Sequence, residues 1–129
     1  MAGKEVVNRN VMLACKRHLH DLTRKDIYFD EKELDLFNDF VSELEVADGH
    51  ELTGQKIVML SWQSFLLGSI LCWKFVDTDG IRYKQSFVEC ARGSGKSTMA
   101  GVLLLYCSWR WEGSDNLCLA NKQDQARQA

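Results

Sequence analysis

An α/β fold built on a parallel sheet, of the P-loop NTPase type, is predicted by three observations. Phe87, Val88 and Cys90 form a short apolar run that reads as a strand. The glycine turn Arg92-Gly93-Ser94-Gly95 follows at once. Lys96-Ser97-Thr98 then opens an apolar helical pattern from Met99 to Trp109. Strand, glycine turn, Gly-Lys-Ser and helix are the context that a phosphate-binding loop requires. Glycines let backbone N–H groups curl around phosphate oxygens at a helix N-terminus, where partial positive charge favours an anion. Gly93, Ser94, Gly95, Lys96, Ser97 and Thr98 are therefore the expected nucleotide-binding residues. Lys96 reaches the β- and γ-phosphates, and the Ser97 hydroxyl ligates the Mg²⁺ of bound ATP. The full motif would place a glycine where this chain has Cys90, and Arg92 stands four residues before Lys96. The competing reading is a strand-to-helix turn whose glycines only relieve strain.

Length and composition set the bounds. At 129 residues the chain is one domain's worth or less. Its apolar fraction of 46% predicts a folded class and excludes a disordered one. A net charge of −2 gives no electrostatic reason to bind nucleic acid through this chain alone. The charge is uneven: residues 26–51 carry ten acids against Lys32, and residues 81–110 carry five bases against Glu89. A solvated helix face accounts for the acidic stretch better than a site for a basic partner. Five cysteines, none in a CxxC pair, suggest reduced thiols and a cytoplasmic setting. No apolar run reaches membrane-spanning length, and no signal core follows the first basic residues.

Taken in order, residues 5–25 read as a first helix carrying Val7, Val11, Leu13, Leu19 and Leu22. Cys15, His18 and His20 lack a second ligand pair at zinc spacing and read as surface or core residues. Asp30-x-x-Glu33 is a variant capping box for a second helix, whose stripe is Leu34, Phe37, Phe40, Val41 and Leu44. Gly49 is its expected left-handed cap. Residues 1–52 thus make a helical N-terminal segment, and 53–129 the first part of an ATPase domain. Lys56 to Leu60 reads as a possible strand, and Ser61 opens a buried helix running to Trp73. Gln63, in that helix's first turn, can donate to and accept from an adenine edge, but its spacing alone favours an ordinary polar residue at a helix start. Lys74–Val76 and Ile81–Ser86 flank Asp77-Thr78-Asp79-Gly80, a hairpin signal. An EF-hand fails there, because its sixth position is Arg82 and its twelfth Val88. Leu117 to Ala120 reads as a further strand, and the polar helical pattern from Asn121 reaches Ala129 uncapped.

A P-loop ATPase also needs four apolar residues ending in an acid, to hold Mg²⁺ and polarise water. No such run occurs. Phosphate binding is therefore expected and hydrolysis is not. The chain reads as the front half of a longer one, with an open sheet edge, poor stability on its own and no turnover of ATP.

Several residues together resemble the large subunit of tailed-phage terminases, the ATP-driven DNA-packaging motor. They are the phenylalanines Phe37 and Phe40, the linker with Asp48-Gly49 and Gly54, and the Leu60-x-Trp62-Gln63 lead-in to an apolar helix with Phe65 that ends near Trp73. The hairpin, the Arg-x-x-Gly-Lys-Ser loop from Arg92 to Ser97, Ala120 and Gln125-Ala126 complete the likeness, which spans roughly residues 30–129. Terminases commonly carry a basic residue in place of the first loop glycine, so Cys90 and Arg92 fit. Ser61 and Ala91 stand where the family usually has proline, a change of backbone shape and not of chemistry.

The resemblance implies ATP and Mg²⁺ as cofactors, Gln63 as an adenine contact, and Lys96 with Arg92 as catalytic residues, Arg92 touching the γ-phosphate. It implies partners too: double-stranded phage DNA, a small terminase subunit, a portal protein and a homo-oligomeric ring, in the bacterial host cytoplasm with no membrane. The family's acidic motif and metal-dependent nuclease domain would lie beyond Ala129. A helicase, an AAA-type ATPase and a non-catalytic remnant or docking module are the alternatives.

Overall fold

Asp30 decides where the second helix begins, and the fold grows around that point. In the computed structural model, which describes residues 8–46, 53–113 and 115, the Asp30 side chain accepts the Glu33 backbone N–H at 3.1 Å. The elements in order are α1 (Arg9–Asp21), β1 (Ile27–Phe29), α2 (Glu31–Glu43), α3 (Ser61–Cys72), β2 (Trp73–Phe75) and α4 (Lys96–Arg110). Asn8 caps α1 by accepting from Asn10 N–H, an exposed start for a helix shorter than the expected 5–25. Gly49 lies outside the described residues, as do Leu117–Ala120 and the pattern from Asn121.

The core is helix on helix. Phe37 and Val41 of α2, Leu67, Leu71 and Cys72 of α3, and Met99, Val102 and Tyr106 of α4 form one buried cluster. Each large apolar side chain so buried contributes about 2 kcal/mol. Gly68 lets α2 and α3 approach closely, since a Cβ there would stand 2.9 Å from Leu34 Cδ1. Burial pushes the Cys72 thiol up to about 12, so it acts as a small core residue. Among the described cysteines only Cys72 is buried.

The predicted parallel sheet is not what the chain builds. Among the described residues the one sheet is a two-stranded antiparallel pair, with Ile27 opposite Phe75, Tyr28 opposite Lys74 and Phe29 opposite Trp73. This is a small helical domain and not a P-loop NTPase fold. The physical reason is visible at residues 85–90, the segment read as the central strand. Phe87 is 90% exposed, and Gln85, Ser86, Val88 and Glu89 are exposed with it, so the segment lacks the two covered faces that a parallel strand requires. The possible strand at Lys56–Leu60 shrinks to one bridge, Glu45 to Lys56. The hairpin is real but short. Asp79 takes a positive φ of 55°, its carboxylate accepts the Tyr28 hydroxyl, and the return makes a single bridge from Lys74 to Ile81.

Polar links fasten the helices to the sheet. The Lys74 ammonium reaches Asp30 at 2.7 Å and Glu33 at 3.2 Å. Arg82 pairs with buried Asp21 at 2.7 Å, which ties the end of α1 to the segment after the hairpin. His18, half-buried, packs edge-on against Phe29 and Trp73 at 5.0 and 5.3 Å. Among the described residues no helix is long and apolar enough to cross a membrane.

Candidate phosphate-binding site

The glycine loop forms without a strand feeding it. Arg92 and Gly93 make a turn, and Ser94 N–H and Ser94 Oγ both donate to the Ala91 carbonyl, at 3.3 and 2.5 Å. Gly93 and Gly95 take positive φ values of 81° and 77°, the left-handed region that a side chain disfavours. Gly95 is the N-cap of α4, and no side chain caps the helix there. The first-turn N–H groups of α4, which have no partner inside the helix, are thus left for water or an anion. An N-cap glycine in this conformation is what a backbone cradle for phosphate uses.

The expected side chains gather at this turn. Lys96, Ser97 and Thr98 are exposed in the first turn of α4, and Arg92 is exposed on the loop. The Lys96 ammonium folds back and donates to the carbonyls of Cys90 and Ala91, at 2.7 and 2.9 Å. It therefore lies along the loop, where a phosphate oxygen would exchange for a carbonyl. Ser97 is the hydroxyl that the sequence assigned to Mg²⁺. Mg²⁺ takes most of its ligands from phosphate oxygens and water, so a single protein hydroxyl suits it. Among the described residues no group of three His, Cys, Asp or Glu side chains converges to hold a metal by itself.

Gln63 comes to the same place. Its Nε2 donates to the Ser94 carbonyl at 3.1 Å, and its Oε1 accepts the Leu60 N–H at 2.8 Å. Beside it opens a cleft of about 470 Å³, lined by Val58, Leu60, Trp62 and Gln63 from the start of α3 and by Gly93 to Gly95 from the loop. Trp62, which the sequence marks only through the Leu60-x-Trp62-Gln63 lead-in to α3, also lines this cleft. Trp62 is 41% exposed on this cleft.

No protein-family model, curated protein or solved structure matches this chain. The chemistry of the site therefore rests on its own geometry: an uncapped helix N-terminus, two left-handed glycines, a lysine at the first helical position and an aromatic-lined cleft.

The far end of α4 is held as firmly as its start is open. Tyr106 and Arg110 of α4 both bind Glu33 of α2, so the helix that presents the loop is anchored three turns away. Burial alone would raise the Glu33 carboxyl, but hydrogen bonds from Tyr106, Arg110 and Lys74 outweigh it and hold the group below its usual value.

Proposed function

We propose that this chain binds ATP with Mg²⁺, its triphosphate on the loop from Gly93 to Ser97 and its base in the cleft beside Trp62. The observation that carries the reading is the left-handed Gly95 at the uncapped start of α4, with Lys96 immediately after it. Lys96 contacts the β- and γ-phosphates, Ser97 supplies a hydroxyl to the metal, and Arg92 approaches the γ-phosphate from the turn. The cleft supports a base because an exposed indole offers a flat face for stacking next to the phosphate grip. The loop and its helix carry the reading, without the strand that the sequence leads one to expect before the loop.

The sequence likeness to terminase large subunits supports a role for this grip in a DNA-packaging motor, in which ATP binding acts on double-stranded DNA alongside a small subunit and a portal protein. The proposal is for binding. Hydrolysis would call for an acid that polarises water, and none of the residues assigned to the loop is acidic.

Calorimetric titration with ATP–Mg²⁺ tests it. The expected result is measurable binding that falls about tenfold or more in Lys96→Ala, the scale of a lost charge-assisted contact, with an unchanged thermal melt. Lys96 is exposed, so its removal leaves the core intact. Equal affinity in the two proteins would remove the loop from the site.

A further inference from the structure

Both polar atoms of the Gln63 side chain are engaged by protein. Oε1 accepts the Leu60 N–H at the start of α3, and Nε2 donates to the Ser94 carbonyl inside the glycine loop. The residue is only 8% exposed, and a Cβ added at Gly95 would stand 3.0 Å from Nε2. An adenine contact would require this amide to offer its donor and its acceptor to a base edge. Here one N–H and one lone pair already face backbone groups, and at 8% exposure the amide has little surface left to present to a base edge. Resting on the nucleotide-binding reading above, we infer that Gln63 is a positioning residue that latches the glycine loop to α3 and does not read the base.

Peptide geometry gives the latch its effect. In a planar trans peptide the carbonyl and the following N–H point in opposite directions. Holding the Ser94 carbonyl against Gln63 therefore turns the Gly95 N–H to the other side, away from the amide. That peptide joins Ser94 to Gly95, so its rotation turns on Ser94 ψ and Gly95 φ, and Gly95 is a left-handed glycine that tolerates the change. Without a tether, that peptide would flip at low cost and the loop would offer its N–H groups in several arrangements. Gln63 removes that freedom before any ligand arrives, which is preorganisation of the phosphate cradle. The bond to Leu60 N–H fixes the amide in turn, so the latch stands on the rigid first turn of a core helix.

Gln63→Glu isolates the latch. It keeps an acceptor for the Leu60 N–H but sets a carboxylate oxygen against the Ser94 carbonyl, where two acceptors repel. Gln63→Met, which removes both hydrogen bonds without adding charge, serves if the first variant folds poorly. Inorganic triphosphate and ATP, each with Mg²⁺, are the probes. Both affinities are expected to fall by the same factor, about fivefold, the net contribution of one hydrogen bond. Backbone amide exchange in the ligand-free variant should quicken from Gly93 to Lys96 and stay unchanged in Ile27–Phe29. A loss confined to ATP would make Gln63 a base contact and overturn the latch. Unchanged affinities with unchanged loop exchange would overturn it as well. Wild-type protein that binds neither ligand would defeat the nucleotide reading, while the exchange measurement still decides the latch.

Discussion

The Tyr106 hydroxyl donates to the Glu33 carboxylate at 2.5 Å, joining α4 to α2 across the core. Glu33 is 3% exposed and receives two further donors, Lys74 at 3.2 Å and Arg110 at 3.1 Å. One carboxylate thus serves three elements: the helix it stands on, the second strand and the loop-bearing helix. A buried charge so placed adds little net stability against a well-packed apolar alternative, but removing one partner strands the others. Its value here is to fix where α4 sits.

Glu33→Gln should therefore cost about 3 kcal/mol in denaturant unfolding, the low end for breaking a buried ion pair. Lys74 keeps Asp30 at 2.7 Å, and Arg110 is partly exposed, so neither is left wholly alone. Tyr106→Phe should cost less, about 1.5 kcal/mol, because Glu33 retains two cations. Equal losses in the two variants would mean that the charge on Glu33 contributes nothing beyond the tyrosine hydrogen bond.

Acid should unfold the protein through the same groups. Asp21, Asp30 and Glu33 are all held below their ordinary values of 3.8 and 4.5: burial opposes this in each, and bonds from Arg82, from Lys74 and from Tyr106 with Arg110 overcome it. A depressed carboxyl contributes stability that is present above its unfolded value and is lost as pH falls through its folded one. Unfolding free energy should be level from neutrality to about pH 5 and decline below it. Lys74 moves the opposite way: burial would lower it, but Asp30 and Glu33 raise it above 10.5, so its charge persists across this range. Denaturant midpoints measured from acid to neutral pH test the shape, and Glu33→Gln should flatten the acid limb. An undiminished acid slope in that variant would shift the effect to Asp21 and Asp30.

Local chemistry was legible in the sequence, and long-range pairing was not. Asp30 as the cap of α2, Ser61 as the start of α3 and the Gly95-Lys96 start of α4 all follow from short patterns, because caps and glycine turns act within four residues. Only half of the predicted capping box forms. Asp30 does accept the Glu33 N–H, but the Glu33 carboxylate turns away toward Tyr106, 73 residues on, which no local pattern encodes. The same limit produced the larger error. Phe87, Val88 and Cys90 before a glycine turn have the composition of a central strand, yet a strand exists only if neighbours pair with it. The partner that β2 finds is Ile27-Tyr28-Phe29, three residues between two helices in a stretch that the sequence predicts to be helical. Gln63 fell between these cases: its first-turn position was plain, while its contact with Ser94 lies 31 residues away.

Glycine at 95 should prove harder to replace than glycine at 93. Both have positive φ, but a Cβ at Gly93 meets nothing within 4 Å, whereas one at Gly95 meets Gln63 Nε2 at 3.0 Å. Left-handed backbone costs an alanine about 1–2 kcal/mol at either site. Only Gly95→Ala adds displacement of the Gln63 amide, and with it a loss of triphosphate affinity greater than that of Gly93→Ala. Thermal melts and triphosphate titrations of the two variants give the comparison. Equal affinities would detach the loop's shape from its function.

Trp62 should separate base from phosphate. Its indole lines the cleft beside the loop but is not among the residues assigned to the phosphates, so its truncation should leave the grip of Gly93 to Ser97 untouched. Stacking a base on an aromatic side chain contributes about 1–3 kcal/mol. Trp62→Ala should accordingly weaken ATP about tenfold and leave inorganic triphosphate near its wild-type affinity. Its partial exposure means the variant should retain its fold, which a melt would verify. Trp62→Phe keeps an aromatic face and should recover most of the ATP affinity. Because purines stack more extensively than pyrimidines, wild-type protein should also bind ATP more tightly than CTP, and Trp62→Ala should narrow that gap. If Trp62→Ala instead weakens triphosphate as much as ATP, the tryptophan supports the loop, and the base lies elsewhere.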